Sequence, residues 1–209
     1  MFNTNEDKGN FFIEHFHHVK YHLLLSVVIF LTFTLLGYFY PSVFQSVVLP
    51  TLQGMNDGVQ QGTIKLETIS LFTNNFSVAM NIVLGGLYFS TSTCYLIIFN
   101  ALIVGFSACS MNLYHFLSYT LPHGILELTG IIIAGAAGFR LTHTVVSILS
   151  GIQLDKENKK EIFINHVEIA GKMLVDVLVM IVIMSILLII AAYIEANLTI
   201  PIGHMILGK

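Results

Sequence analysis

Long apolar runs dominate this chain, and its polar residues gather between them or sit singly inside them. A hydrocarbon core about 30 Å deep needs about 20 apolar residues at 1.5 Å rise each. Five segments approach that length. The first covers residues 23–40 and stops at Pro41. The second and third share the apolar region 76–110, which the polar run Ser90-Thr91-Ser92-Thr93 divides into two short spans joined as a tight hairpin. The fourth covers 122–150, with Pro122 placed where a first helical turn tolerates a missing N–H. The fifth covers 169–197 and ends before Pro201. The pattern predicts an all-α, polytopic membrane bundle of five transmembrane helices with short interfacial helices. Residues 1–22 form an N-terminal interfacial segment, and residues 23–209 form one membrane domain. That domain has an outer segment at 41–75 and a cytoplasmic loop at 151–168.

Two stretches are expected to lie on the membrane surface. Phe11, Phe12, Phe16 and Val19 make an apolar face ahead of the first span, and residues 64–72 do the same outside. The first span reads as retained. A polar, His-rich stretch precedes it, and Tyr38-Phe39-Tyr40-Pro41 follows it in place of a small-x-small cleavage site.

Composition agrees with the pattern. Hydrophobic residues make up 55% of the 209 and charged residues 10%. A soluble domain carries roughly 25% charged residues, so the solvent here is membrane lipid. A net charge of −3 provides no basic field for nucleic acid. Cys94 and Cys109 both fall in apolar stretches and read as small buried hydrophobes. Lys and Arg set the orientation. Lys8 and Lys20 precede the first span, and Lys156, Lys159, Lys160 and Lys172 cluster between the fourth and fifth. Segment 41–75 holds only Lys65, and the loop 111–121 holds no Lys or Arg. The N-terminus is therefore expected in the cytoplasm and the C-terminus outside a cell membrane.

Intramembrane ionisable groups are costly, so each needs a reason. His123 and Glu127 are four apart on the fourth span, and their face continues as Gly130, Ala134 and Gly138. Small residues at that spacing admit a second helix, within the chain or in a homodimer, and turn the polar pair toward protein. The fifth span climbs to the same outer level at Glu195, and Asn74 and Asn75 start the second span there. Asn81 and Asn100 lie deeper. At the cytoplasmic level, Arg140 is about 25 Å below His123 and Asp176 about 28 Å below Glu195 by helix rise, so the two are expected to pair.

The outer cluster admits three readings. One is a satisfied hydrogen-bonded network in which the carboxylates bond to Asn74 and Asn75. A second is a divalent metal such as zinc on His123, Glu127 and Glu195, with a position left for water, which would make a membrane-embedded hydrolase. The third is a transport path running past Asn100 to the 90–93 hairpin. On the N-terminal segment, His15, His18 and His22 share one helical face with His17 beside them. They read as imidazoles at headgroup depth, or alternatively as a metal or pH-sensing patch. No local acid besides Glu14 completes such a site.

The run Pro122-His123-Gly124-Ile125-Leu126-Glu127, followed by Ala134-Gly135-Ala136-Ala137-Gly138, resembles the central signature of the stage II sporulation protein M family. Thr73-Asn74-Asn75, Phe99-Asn100-Ala101 with Gly105, and Ala191-Ala192-Tyr193-Ile194-Glu195-Ala196 are similar to its other motifs, with Ala101 standing where a glycine is expected. The resemblance covers residues 73–201. It implies a five-span membrane protein. The family's founding member works with two cell-wall hydrolases during engulfment, so the resemblance implies a scaffold or complex subunit that recruits envelope or membrane proteins. It assigns no catalytic residue, and sporulation itself does not follow from it.

Overall fold

The structure, a computed structural model, describes residues 4–62, 65–152 and 159–208. Its described residues form helices and turns: α1 (Thr4–Phe39), α2 (Pro41–Gln60), α3 (Thr68–Leu84), a 3-10 turn (Gly85–Tyr88), α4 (Thr91–Ser110), α5 (Leu113–Ile152), α6 (Lys159–Asn197) and α7 (Thr199–Leu207). The fold is all-α, as the pattern predicts.

Four helices are long and apolar enough to cross a membrane: α4, α5 and the segments His15–Phe39 of α1 and Ile162–Asn197 of α6. The expected second span is the shorter α3, of 17 residues. It covers about 25 Å by helix rise and forms one leg of the α3–α4 hairpin. Of the five expected spans, four are helices long enough to cross, and the second is a helix too short to count among them.

Chain breaks follow local chemistry. Tyr40 precedes a proline, which disfavours the helical region, and its φ of −125° ends α1 before Pro41 opens α2. The hairpin turns at Phe89 and Ser90, both in the left-handed region with φ of 52° and 60°. It is drawn onto α5 by side-chain bonds. Thr142 Oγ1 donates to the Gly86 carbonyl at 2.7 Å, and Ser90 Oγ lies 2.6 Å from Thr142 Oγ1. Gly86 faces the Gly138 carbonyl so closely that a Cβ there would meet it. Only glycine permits this approach.

The central element is α5, buried along Ala134 to Leu141. Its small side chains let neighbours close in. Leu188 of α6 sits over Gly130, and Thr93 of α4 sits over Gly138. The outer faces of α1 and α6 instead present Leu24, Val28, Leu31, Leu178, Val182 and Ile186, as lipid-facing surfaces do.

Several boundaries differ from the pattern. The helix expected to start at Pro122 begins at Leu113, so most of the expected loop 111–121 is helical and Pro122 lies inside α5. Proline removes one backbone donor, a defect that apolar helices tolerate where side chains and neighbours compensate. The expected outer segment 41–75 contains the 20-residue helix α2, whose Val48 is buried against Leu102 and Phe106 of α4. The N-terminal stretch and first span form one unbroken helix. Val19 packs into the core while Phe16 is exposed, and the side chains of Phe11 and Phe12 lie outside the described residues. Ile64 does also, and Thr68–Phe72 is the start of α3. Of the expected cytoplasmic loop 151–168, residues 153–158, with Lys156, lie outside the described residues. Cys109 is exposed at the last turn of α4, contrary to its expected burial, and Cys94 is partly buried.

Candidate metal centre

The two polar clusters lie about 25 Å apart by helix rise along the α5–α6 pair, one near the start of α5 and the other at the middle of α6. Near its start α5 supplies His123 and Glu127 one turn apart, on the face that continues into Gly130. Ala191 and Ala192 of α6 are buried and keep the helices close, and Glu195 follows one turn later. One ligand atom from each of His123, Glu127 and Glu195 lies within 4.8 Å of the others. All three residues are partly buried. Among the described residues, neither carboxylate has a hydrogen-bond partner. Two ionised carboxylates this close repel unless a proton or a cation intervenes.

The histidine is held from α7. Pro201 cannot continue α6, because its ring would collide with the carbonyl four residues earlier, so α6 stops at Asn197 and α7 sets off in a new direction. That turn places Thr199 against the site. Its Oγ1 lies 3.0 Å from His123 Nδ1 and donates to the Ile194 carbonyl at 3.2 Å. α7 itself rests on the first turns of α5. Tyr114 Oη donates to the Ile206 carbonyl at 3.0 Å, and the Tyr119 ring packs directly on Gly203. Nothing in the hydrophobic pattern announced this contact, which depends on α5 continuing ahead of Pro122.

The other predicted members of the cluster do not bond to it. Asn74 Nδ2 donates to Asn75 Oδ1 at 3.4 Å, and Asn100 Nδ2 donates to the Leu96 carbonyl of its own helix at 2.8 Å. Near them, Asn197 Nδ2 reaches Thr68 Oγ1 at 3.3 Å and ties α6 to α3. An apolar groove beside the site, between Pro122, Ile125, Ile194 and Ile202, is lined by hydrocarbon and not by the three ligands.

At the middle of α6, Asp176 pairs with Arg140 of α5 as depth counting predicts. Arg140 Nε and Nη2 both donate to Asp176 Oδ2, at 3.1 and 2.6 Å. Arg140 is 8% exposed and Asp176 2%. The N-terminal histidines complete this cluster. His15 Nε2 lies 3.4 Å from Asp176 Oδ1, and His18 Nδ1 lies 3.7 Å from Oδ2. The acid that these histidines face comes from a helix more than 150 residues away in sequence. Spacing within one segment could not reveal it. A cavity of about 310 Å³ between α1 and α6, lined mainly by Phe16, Val19, Leu23, Val179 and Met180, lies next to this pair. One turn before Asp176 on α6, the exposed Lys172 pairs with Glu168 at 3.1 Å.

The model of the stage II sporulation protein M family matches residues 26–200. The chain belongs to that family. It is 31% identical over 149 residues to an uncharacterized protein of Methanocaldococcus jannaschii, a match covering 69% of this chain and 77% of the archaeal one. No solved structure matches it. Family membership and four apolar helices make this a membrane protein of the stage II sporulation protein M family.

Proposed function

We propose that this protein is a non-catalytic membrane subunit that organises envelope partners, and that a divalent cation bound by His123, Glu127 and Glu195 locks α5 to α6 at its outward end. Lysine placement supports a cytoplasmic N-terminus and an external C-terminus. The observation that carries the reading is the convergence of three ligand atoms within 4.8 Å, two of them on carboxylates without hydrogen-bond partners among the described residues. A satisfied network would have filled those positions with donors. One imidazole and two carboxylates suit zinc, and they come from two helices, as a cross-link requires.

The test is metal analysis of the purified chain after exposure to zinc. About one equivalent is expected in the parent protein and none in His123→Ala. A metal-free parent protein under those conditions overturns the reading. The organising role predicts that cell-wall hydrolases co-purify with the parent protein and are lost with Glu195→Gln at unchanged membrane abundance.

A second reading, a metal-dependent hydrolase, draws support from the number of ligands, since three protein ligands leave zinc a position for water. Against it, the neighbouring groove offers only hydrocarbon to a substrate. Hydrolysis of envelope substrates by the zinc-loaded protein, abolished by Glu127→Gln, would replace the first reading with this one. A transport path has less support. The route toward the hairpin is closed by Thr93, which is fully buried, donates to the Ile82 carbonyl and packs on Gly138.

A further inference from the structure

Thr199 has one hydroxyl proton, and its oxygen lies within bonding reach of the Ile194 carbonyl at 3.2 Å and of His123 Nδ1 at 3.0 Å. Both contacts are hydrogen bonds at once in one arrangement: the hydroxyl donates to the carbonyl, and the ring N–H donates to the threonine oxygen. A neutral imidazole has one N–H. With that hydrogen on Nδ1, Nε2 carries the free lone pair, which is the form a cation needs. The hydroxyl has no competing task at the start of α7, where Leu198 is the capping residue and no side chain caps the helix. It is also buried, with Thr199 9% exposed, so water does not readily substitute for it.

We infer that Thr199 is a positioning residue for the cation site, and that the seating of α7 on α5 controls how tightly the site binds. This rests on the metal reading above. A histidine ligand that donates its second nitrogen to a fixed partner keeps its ring orientation and tautomer, and losing such a partner typically costs 10–100-fold in metal affinity. Thr199 reaches His123 only because α7 docks through Tyr119 on Gly203 and Tyr114 on the Ile206 carbonyl. The last helix of the chain thus acts as a clip over the ligand, and a partner that lifts α7 would loosen the cation.

The experiment uses the full chain in detergent and titrates it with Co²⁺, read by visible absorption, and with Zn²⁺ in competition. Thr199→Val keeps the shape and removes the acceptor. It should weaken binding by about 10–100-fold with the ligand-field spectrum retained. Thr199→Ser should bind within a few-fold of the parent chain. Gly203→Ala, whose new methyl would meet the Tyr119 ring, should weaken binding in the same direction by lifting α7. Parent-like affinity in Thr199→Val overturns the inference while leaving the metal reading intact, provided His123→Ala has lost the metal. A parent chain that binds neither ion overturns both. If Thr199→Val fails to fold, Thr199→Ser and Gly203→Ala carry the test, and parent-like affinity in Gly203→Ala rejects control by α7.

Discussion

Two levels of the α5–α6 pair hold similar chemical groups in opposite states. At the Asp176 level a buried acid accepts two bonds from Arg140 and faces two imidazoles. At the His123 level two acids and an imidazole meet, and the acids lack donors among the described residues. A buried charge with its partners in place is a structural joint. Carboxylates gathered without side-chain donors are what the proposed cation site rests on. The same pair of helices therefore offers a built-in control, because each cluster can be removed while the other is left standing.

The largest effect is expected at the satisfied level. Asp176→Ala leaves the Arg140 guanidinium buried and unpaired, and should cost about 3–5 kcal/mol in unfolding measured in detergent. Replacing both partners with apolar residues, Arg140→Met with Asp176→Leu, should recover much of that loss, since a buried pair often contributes little beyond an apolar contact of similar size. Equal losses in the single and double variants would show that the pair itself holds the bundle.

At the other level the effect depends on the metal. Zinc at 100 times its dissociation constant should stabilise the parent chain by about 2.7 kcal/mol, and chelation should reverse this. His123→Ala should not respond to either, and Asp176→Ala should still respond if it folds. A response to zinc in His123→Ala would place the ion elsewhere and erase the contrast between the levels.

Smaller effects sharpen the comparison. Gly86→Ala forces a methyl against the Gly138 carbonyl and should cost about 1–3 kcal/mol without altering metal content, because the hairpin contacts α5 away from His123. His18→Gln should change stability by less than about 1 kcal/mol. His18 is 47% exposed and stands 3.7 Å from an acid already held by Arg140. A loss as large as that of Asp176→Ala would make the histidines equal members of the joint.

Much of this architecture is legible in the sequence because a helix has one fixed rise. Counting from His123 to Arg140 and from Glu195 to Asp176 placed two pairs at matching depths, and both pairs meet. His123 and Glu127 are readable as one face for the same reason. What stays hidden depends on where chains turn in space. Pro122 looks like a helix start, yet α5 passes through it, and only then can Tyr114 and Tyr119 carry α7. Thr199 falls in an apolar run and shows no chemistry until α7 folds back over His123. His15 and His18 could not reveal an acid supplied by α6. Asn74 and Asn75 illustrate the reverse case: shared depth does not ensure a shared bond, and they bond to each other.

The brevity of α3 has a consequence for the turn that follows it. Its 17 residues reach about 25 Å, against an acyl region of about 30 Å. The 3-10 turn Gly85–Tyr88 continues this leg by about 8 Å at about 2.0 Å per residue, so the hairpin matches the acyl depth by winding its last turn more tightly and leaves the surrounding bilayer unthinned.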